Sequence, residues 1–279
     1  MTVTDTTQLG FAGMPRKLLA CTPSRLATWQ DCPRRYRFTY VDRPAPPKGP
    51  PWAHNSVGAV VHGALAGWWA LPLPRRTPEA AAALVRSTWV PLGFRDDDQC
   101  TTWRDRAAAM VERYAAGLDP HDEPVGVERT VGMRTDRLAF SGRIDRLDRR
   151  GDELVVVDYK TGRHVLSTDD TRGSMALALY ALAASRTLRS PCVRVELHHL
   201  PTGEVLAWEH AAAALERHLE RAHALADEIV AAEEFPARPG PMCGWCDFAA
   251  HCPEGQAAAA PKASWAGLAE DLEPLDDGV

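Results

Sequence analysis

The sequence predicts an α/β fold: a small mixed sheet flanked by helices, with a helical, cysteine-bearing lid. Three observations lead there. Residues 125–157 read mainly as strand. Segments with helical apolar spacing lie on both sides of that tract. Cys243, Cys246 and Cys252 form one Cys-x2-Cys-x5-Cys run, and Cys32 stands more than two hundred residues earlier.

Residues 1–20 read as a flexible N-terminal segment. A helix is expected from Pro23, broken near Pro33, which suits the first turn of a second helical piece. Arg43 to Asn55 holds five prolines and reads as a loop. Helices are expected over Ser56–Ala70, with Asn55 or Ser56 as cap, and over Pro78–Val90 and Asp97–Ala116. Ser174–Ser185 reads as a further helix, and Val193, Val195 and Leu197 alternate as a strand. Pro201-Thr-Gly203 turns that strand into Val205–Trp208. Leu215, Leu219, Ala222, Ala226 and Ile229 recur at helical spacing on a last long helix. Residues 254–279 carry Glu270, Asp271, Glu273, Asp276 and Asp277 and read as an acidic, disordered tail.

The most telling segment runs from Ser141 to Gly162. Leu138, Phe140 and Ile144 alternate, so Ser141, Arg143 and Asp145 point to the opposite face. Asp148 to Asp152 suits a tight turn. Leu154 to Val157 is an apolar run of β-formers, as in a strand buried on both faces. Asp158 and Lys160 then project to one side. Asp145 and Asp158 can supply oxygen ligands to a hard divalent cation, and the Tyr159 carbonyl a third. Lys160 can orient the attacking water or neutralise charge on a phosphate in metal-assisted phosphodiester hydrolysis. The plainer alternative is a hairpin whose surface charges pair with arginines. Gly58-Ala-Val-Val-His62 adds an imidazole on an apolar helix, which by itself reads more readily as a satisfied core residue.

The cysteine pattern is that of a metal or cluster, not of a disulfide framework. Thiolates select zinc or iron–sulfur, and spacing does not choose between them. Cys21, Cys100 and Cys192 lack partners at ligand spacing, and Cys21 is a rival to Cys32.

Asp145…Asp158-Tyr-Lys160-Thr-Gly, with Gly-x-x-x-His62 ahead of it, resembles the core of the PD-(D/E)XK nucleases in their RecB-type exonuclease branch. The four cysteines, with Cys32-Pro-Arg-Arg-Tyr36, resemble those of the AddB-type and CRISPR-associated four-cysteine nucleases. The resemblance implies a restriction-endonuclease-like sheet core within a nuclease domain over 21–253. It implies magnesium or manganese held by His62, Asp145, Asp158 and Tyr159, with Asp145, Asp158 and Lys160 catalytic. It also implies a four-iron, four-sulfur cluster on Cys32, Cys243, Cys246 and Cys252, joining the N- and C-terminal segments, with zinc as the lesser choice. The expected partner is DNA, single-stranded or with free ends, and a separate helicase is a further partner. Arg34, Arg35, Arg163 and Tyr180 are the candidate contacts, Tyr180 equally readable as core.

The chain departs from that family where a glutamine is expected four residues before Tyr180. Ala176 stands there, and Arg172 or Ser174 are the candidates to cover the loss. Net charge is −5, which by its sum argues against nucleic acid, although arginines gather near the motifs. No apolar leader and no eighteen-residue apolar stretch occur, so a cytoplasmic protein without a membrane span is expected. Two rival readings stay open: a non-catalytic DNA-end-binding subunit and a zinc-stapled interaction protein. The residues do not distinguish DNA from RNA.

Overall fold

The computed structural model describes residues 18–268. In chain order the strands and helices are β1 (Leu19–Cys21), α1 (Pro23–Asp31), α2 (Pro33–Tyr36), α3 (Ala53–Trp69), α4 (Pro78–Ser87), α5 (Asp97–Ala116), β2 (Gly126–Arg134), β3 (Leu138–Arg150), β4 (Glu153–Lys160), α6 (Thr168–Gly173), α7 (Met175–Leu188), β5 (Arg194–His199), β6 (Glu204–Glu209), α8 (Ala212–Ala231) and α9 (Pro253–Ala258). The six strands form one mixed sheet. β2 runs antiparallel along one edge of β3. β1, parallel at 138–140, and β4, antiparallel at 146–150, therefore share the other edge. β5 lies parallel to β4, and β6 antiparallel to β5.

The alternation within β4 explains the layers. Leu154 and Val156 face one core, with Leu177, Ala181, Leu215 and Ala226 of α7 and α8. Val155 and Val157 face the other, with Val61, Leu65, Trp68 and Val111 of α3 and α5. All four β4 residues are essentially inaccessible. At about 25 cal/mol per Å² of apolar surface removed from water, such two-sided burial fixes the strand's register. The structure thus has the mixed α/β architecture, with helices on both faces of the sheet, that the sequence predicts.

Local signals set most element ends. Thr22, Thr77 and Asp96 accept hydrogen bonds from the first turns of α1, α4 and α5. The break at Pro33 is as expected, and α5 spans the expected residues. The helix expected to Val90 ends at Ser87 and that expected to Ser185 runs to Leu188, and three further departures have tertiary reasons. α3 begins at Ala53, not Ser56, and neither Asn55 nor Ser56 caps it; the Ala53 amide donates to Ser264 O, and the Ser56 hydroxyl to Leu92 O. α6 is an additional turn of helix, closed by a Ser167–Asp170 capping box. The expected disordered tail is ordered as far as 268: α9 forms, and Leu268 is buried against the second core. The acidic residues from Glu270 onward, like residues 1–17, lie outside the described residues.

One buried charged network stiffens the sheet. Glu196 on β5 is 2% exposed. It accepts from both guanidinium nitrogens of Arg150 (2.6 and 2.9 Å) and from Arg194 Nε (2.9 Å), and it meets His198 Nε2 at 3.0 Å. Burial raises its carboxyl pKa, but the bonds from His198, Arg150 and Arg194 outweigh burial and hold it far below the carboxylate range. Its contribution is therefore present above the unfolded carboxylate value and lost as pH falls through the native one. Glu196→Gln removes the charge from bonds to Arg150 and Arg194, whose side chains are partly exposed, and is expected to cost about 1–2 kcal/mol at neutral pH. The difference from wild type should shrink steadily below about pH 4.5, as read by urea denaturation across pH. A constant difference down to the acid limit would contradict the assigned charge.

Candidate active site

The β3–β4 ladder ends at the pair Arg146 and Val157. One step further along each strand stand Asp145 and Asp158, where the strands part. Between 141 and 145 this edge of β3 has no strand neighbour. The fork is satisfied by side chains instead: the Tyr159 amide donates to Asp145 Oδ2 at 2.8 Å. His62, two turns into α3, brings Nδ1 to 3.3 Å from Asp145 Oδ1. Lys160 Nζ lies 2.6 Å from Asp158 Oδ2. The imidazole, two carboxylates and ammonium thus converge on one fork.

Charge in this fork is costly. Burial, reinforced by the Asp145 charge, pushes the Asp158 carboxyl above its ordinary range against the pull of Lys160. Asp158 Oδ2 is buried, with the Lys160 ammonium as its ion-pair partner. Burial pulls the His62 imidazole down, but its hydrogen bond to Asp145 and the charges of Asp145, Asp158 and Glu128 outweigh this and raise it. Oxygen donors in excess of cationic partners, joined by one imidazole, fit a hard divalent cation. Glu128 on β2 was not visible as a site residue from sequence. One donor atom each from His62, Glu128 and Asp145 lie within 4.8 Å of one another. The only local signal was its acidity inside a strand pattern. The left-handed backbone that sets Glu128 apart (φ 48°) emerges only on folding.

A groove of about 1000 Å³ opens over the fork. His62, Glu128, Arg143, Asp145, Lys160 and Arg163 line it, with Trp103 and Tyr180 as its large aromatic side chains. Tyr180 serves the core and the groove together. Its ring packs on Phe140 and lies over Gly142. Burial and the Asp158 and Asp145 charges push its hydroxyl up to about 12. The Tyr159 side chain turns into the second core, 5.5 Å from the Tyr114 ring, leaving its backbone at the site. Arg34 and Arg35 do not reach the groove. Arg34 donates to Phe235 O and Glu254, Arg35 pairs with Asp31, and both line a second cavity. Neither substitute for the missing glutamine is at the groove: Arg172 pairs with Asp169 and stacks on Trp208, and Ser174 caps α7. Arg146 is buried against Asp148 and Tyr114, a structural residue.

The second cavity, about 580 Å³, brings Cys32 to Cys243, Cys246 and Cys252. Cys32 sits between α1 and α2, and the others on two short 3₁₀ turns. Backbone amides of Arg238 and Gly240 donate to Cys32 and Cys243 sulfur. Thiols of Cys243 and Cys252 both come within 3.5 Å of one point above Gly255. Phe235 packs edge-on against Trp29, Phe38 meets Phe248, and Trp52 donates to Asp247. Cys21 and Cys192 are buried in the first core, and burial pushes the Cys21 thiol up to about 11. Cys100 accepts from Trp89 Nε1.

A family model described as the PD-(D/E)XK nuclease superfamily matches residues 20–253. A presumed exonuclease from Eubacterium rectale has a similar structure, with TM-score 0.53 and 10% identity over 82% of this chain and 86% of that one. SSO0001 aligns more loosely, with TM-score 0.40 and 13% identity over 85% of this chain and 87% of its own. No curated protein matches.

Gly142→Ala should place a Cβ 2.3 Å from Tyr180 Cε1 and displace the ring. We expect a loss of about 1–3 kcal/mol in urea denaturation. Combined with Tyr180→Ala, the loss should be smaller than the sum of the two single variants. Strict additivity would show that the ring and Gly142 do not constrain each other.

Proposed function

The chain belongs to the PD-(D/E)XK nuclease superfamily, and on that premise we propose that it is a metal-dependent DNA exonuclease of the RecB type, acting in repair or recombination. The observation that carries this reading is the convergence of His62, Asp145, Asp158 and Lys160 on one strand fork. His62, Asp145 and Asp158 would hold magnesium or manganese, with the Tyr159 carbonyl as a further donor. When bound, the ion supplies a Lewis acid for the phosphate and an acidified water. Lys160 Nζ, drawn beside Asp158, donates to the attacking water or to the phosphate oxygen that gains charge. Asp145 orients His62 through Nδ1, and the Tyr159 amide holds Asp145 in turn. Arg163 at the groove wall can meet the backbone of a nucleic acid. Trp103 and Tyr180 can stack on unpaired bases, which favours single strands or ends as substrate. Such a nuclease works alone or beside a separate helicase.

The four cysteines would hold a four-iron, four-sulfur cluster that staples the ends of the domain. The four thiols line one cavity, and soft thiolates suit a cluster, with zinc as the lesser choice. A non-catalytic DNA-end-binding role is the second reading, favoured by Ala176 and by the engagement of Arg172 and Ser174 elsewhere.

With anaerobically purified protein and end-labelled DNA, Lys160→Ala should lower the magnesium- or manganese-dependent rate at least about a hundredfold while leaving the circular dichroism intact. Cleavage at the wild-type rate would remove Lys160 from the chemistry, and DNA binding without cleavage by the unaltered protein would support the second reading. Iron, labile sulfide and visible absorbance should accompany the unaltered protein and be lost in Cys246→Ser. Stoichiometric zinc without iron would overturn the cluster.

A further inference from the structure

Given the metal centre proposed above, we propose that Tyr114 on α5 and His198 on β5 are positioning residues for it, acting through the Tyr159 ring. Tyr159 stands between Asp158 and Lys160, so β4 turns its side chain to the opposite face, where it is buried. Two groups reach the fork from other elements, Asp145 from β3 and His62 from α3, and Tyr159 touches both. Its amide donates to Asp145 Oδ2 at 2.8 Å. Its ring meets the His62 ring edge-on, with centroids 5.8 Å apart and planes at 83°. An imidazole turns broadly about its last bond, so the ring packed against it decides how its nitrogens meet Asp145.

The Tyr159 ring is fixed in turn. Strand pairing places His198 beside Tyr159 and Glu196 beside Val157. The Tyr114 and His198 rings pack edge-on against Tyr159, with centroids at 5.5 and 6.3 Å. The Tyr159 hydroxyl faces Tyr114 and the Trp69 indole. Tyr114 Oη lies 2.7 Å from His198 Nδ1, and His198 Nε2 lies 3.0 Å from Glu196 Oε2. A carboxylate only accepts, so Nε2 carries the proton, and Nδ1 of the neutral ring accepts from the Tyr114 hydroxyl. Burial pushes that hydroxyl far above its ordinary value, so it keeps the proton it donates. Glu196, at the end of the chain, is anchored by Arg150 and Arg194. The layer is otherwise apolar, with Val61, Leu65, Val111 and Val157. Polar groups buried there are costly unless satisfied, and once satisfied they fix orientation. Tyr114, His198 and Glu196 do not line the groove, so they act on the site only through Tyr159.

Two measurements on the full chain test this without turnover. In metal-free protein with isotope-labelled histidine, the His62 ring signals in nuclear magnetic resonance are identified by their loss in His62→Gln. They should shift in Tyr114→Phe and in Tyr159→Leu, while those of the exposed His121 stay in place. Manganese affinity, read by electron paramagnetic resonance, should fall about tenfold in Tyr114→Phe. Tyr159→Phe, which cuts the chain from its other side, should reproduce that loss. Adding Tyr114→Phe to His62→Gln should cost no further affinity, because the hydroxyl acts through the imidazole. Weaker binding in His62→Gln, with unchanged binding and unmoved His62 signals in Tyr114→Phe and Tyr159→Phe, would overturn the positioning role alone. Losses that add in full would overturn it too, since the hydroxyl would then act apart from His62. Unchanged binding in His62→Gln would overturn the metal centre and the positioning role with it.

Discussion

Everything at this site depends on how a sheet tolerates two carboxylates at the point where two of its strands separate. Asp145 and Asp158 lie one step past the last β3–β4 pair, with little water to disperse their charge. The fold answers with an imidazole from α3, an ammonium from β4 itself and one main-chain amide. These are enough to hold the groups in place, but burial still pushes the Asp158 carboxyl above its ordinary range. The residual imbalance of charge is what makes the fork suited to a cation, because a metal resolves a conflict the protein alone leaves standing.

The precision of the fork comes from apolar residues that take no part in it. Leu154 to Val157 are buried on both faces, so β4 can neither slide nor rotate without exposing one core. Asp158 and Lys160 inherit that rigidity. α3 is similarly fixed, since Val57, Val61, Leu65 and Trp68 are buried along it. His62 therefore approaches Asp145 from a helix that has no freedom to retreat. A site built on regular elements can hold donors to the tolerances that coordination requires.

The cysteine cavity borders the groove. His54, Asn55, Gly162 and Gly267 line both. The cavity lined by the four thiols thus shares one wall with the groove. The C-terminal segment contributes through Ser264 and Leu268, which tie it to the start of α3 and to the second core. Ordering of that segment and placement of His62 are consequently linked through one helix.

The local pattern of residues was enough to read the α/β class, the β3–β4 hairpin, the break at Pro33 and the span of α5. These depend on alternation, helical period, proline and capping, all of which act within a few residues. That Asp158 and Lys160 share one side was legible because period two on a strand carries it, whereas His62 came forward only through the family resemblance, a lone imidazole on an apolar helix reading as core. What the chain alone could not disclose was decided by neighbours distant in sequence. Ser264, not Asn55 or Ser56, supports the start of α3. Phe235 and Glu254 claim Arg34, and Asp169 and Trp208 claim Arg172. Glu128 looked like any strand residue until the paired kink of β2 and β3 turned it beside Asp145. Periodicity is written into adjacent residues, whereas the partner of a charge is chosen by whatever the packed cores bring within hydrogen-bonding reach.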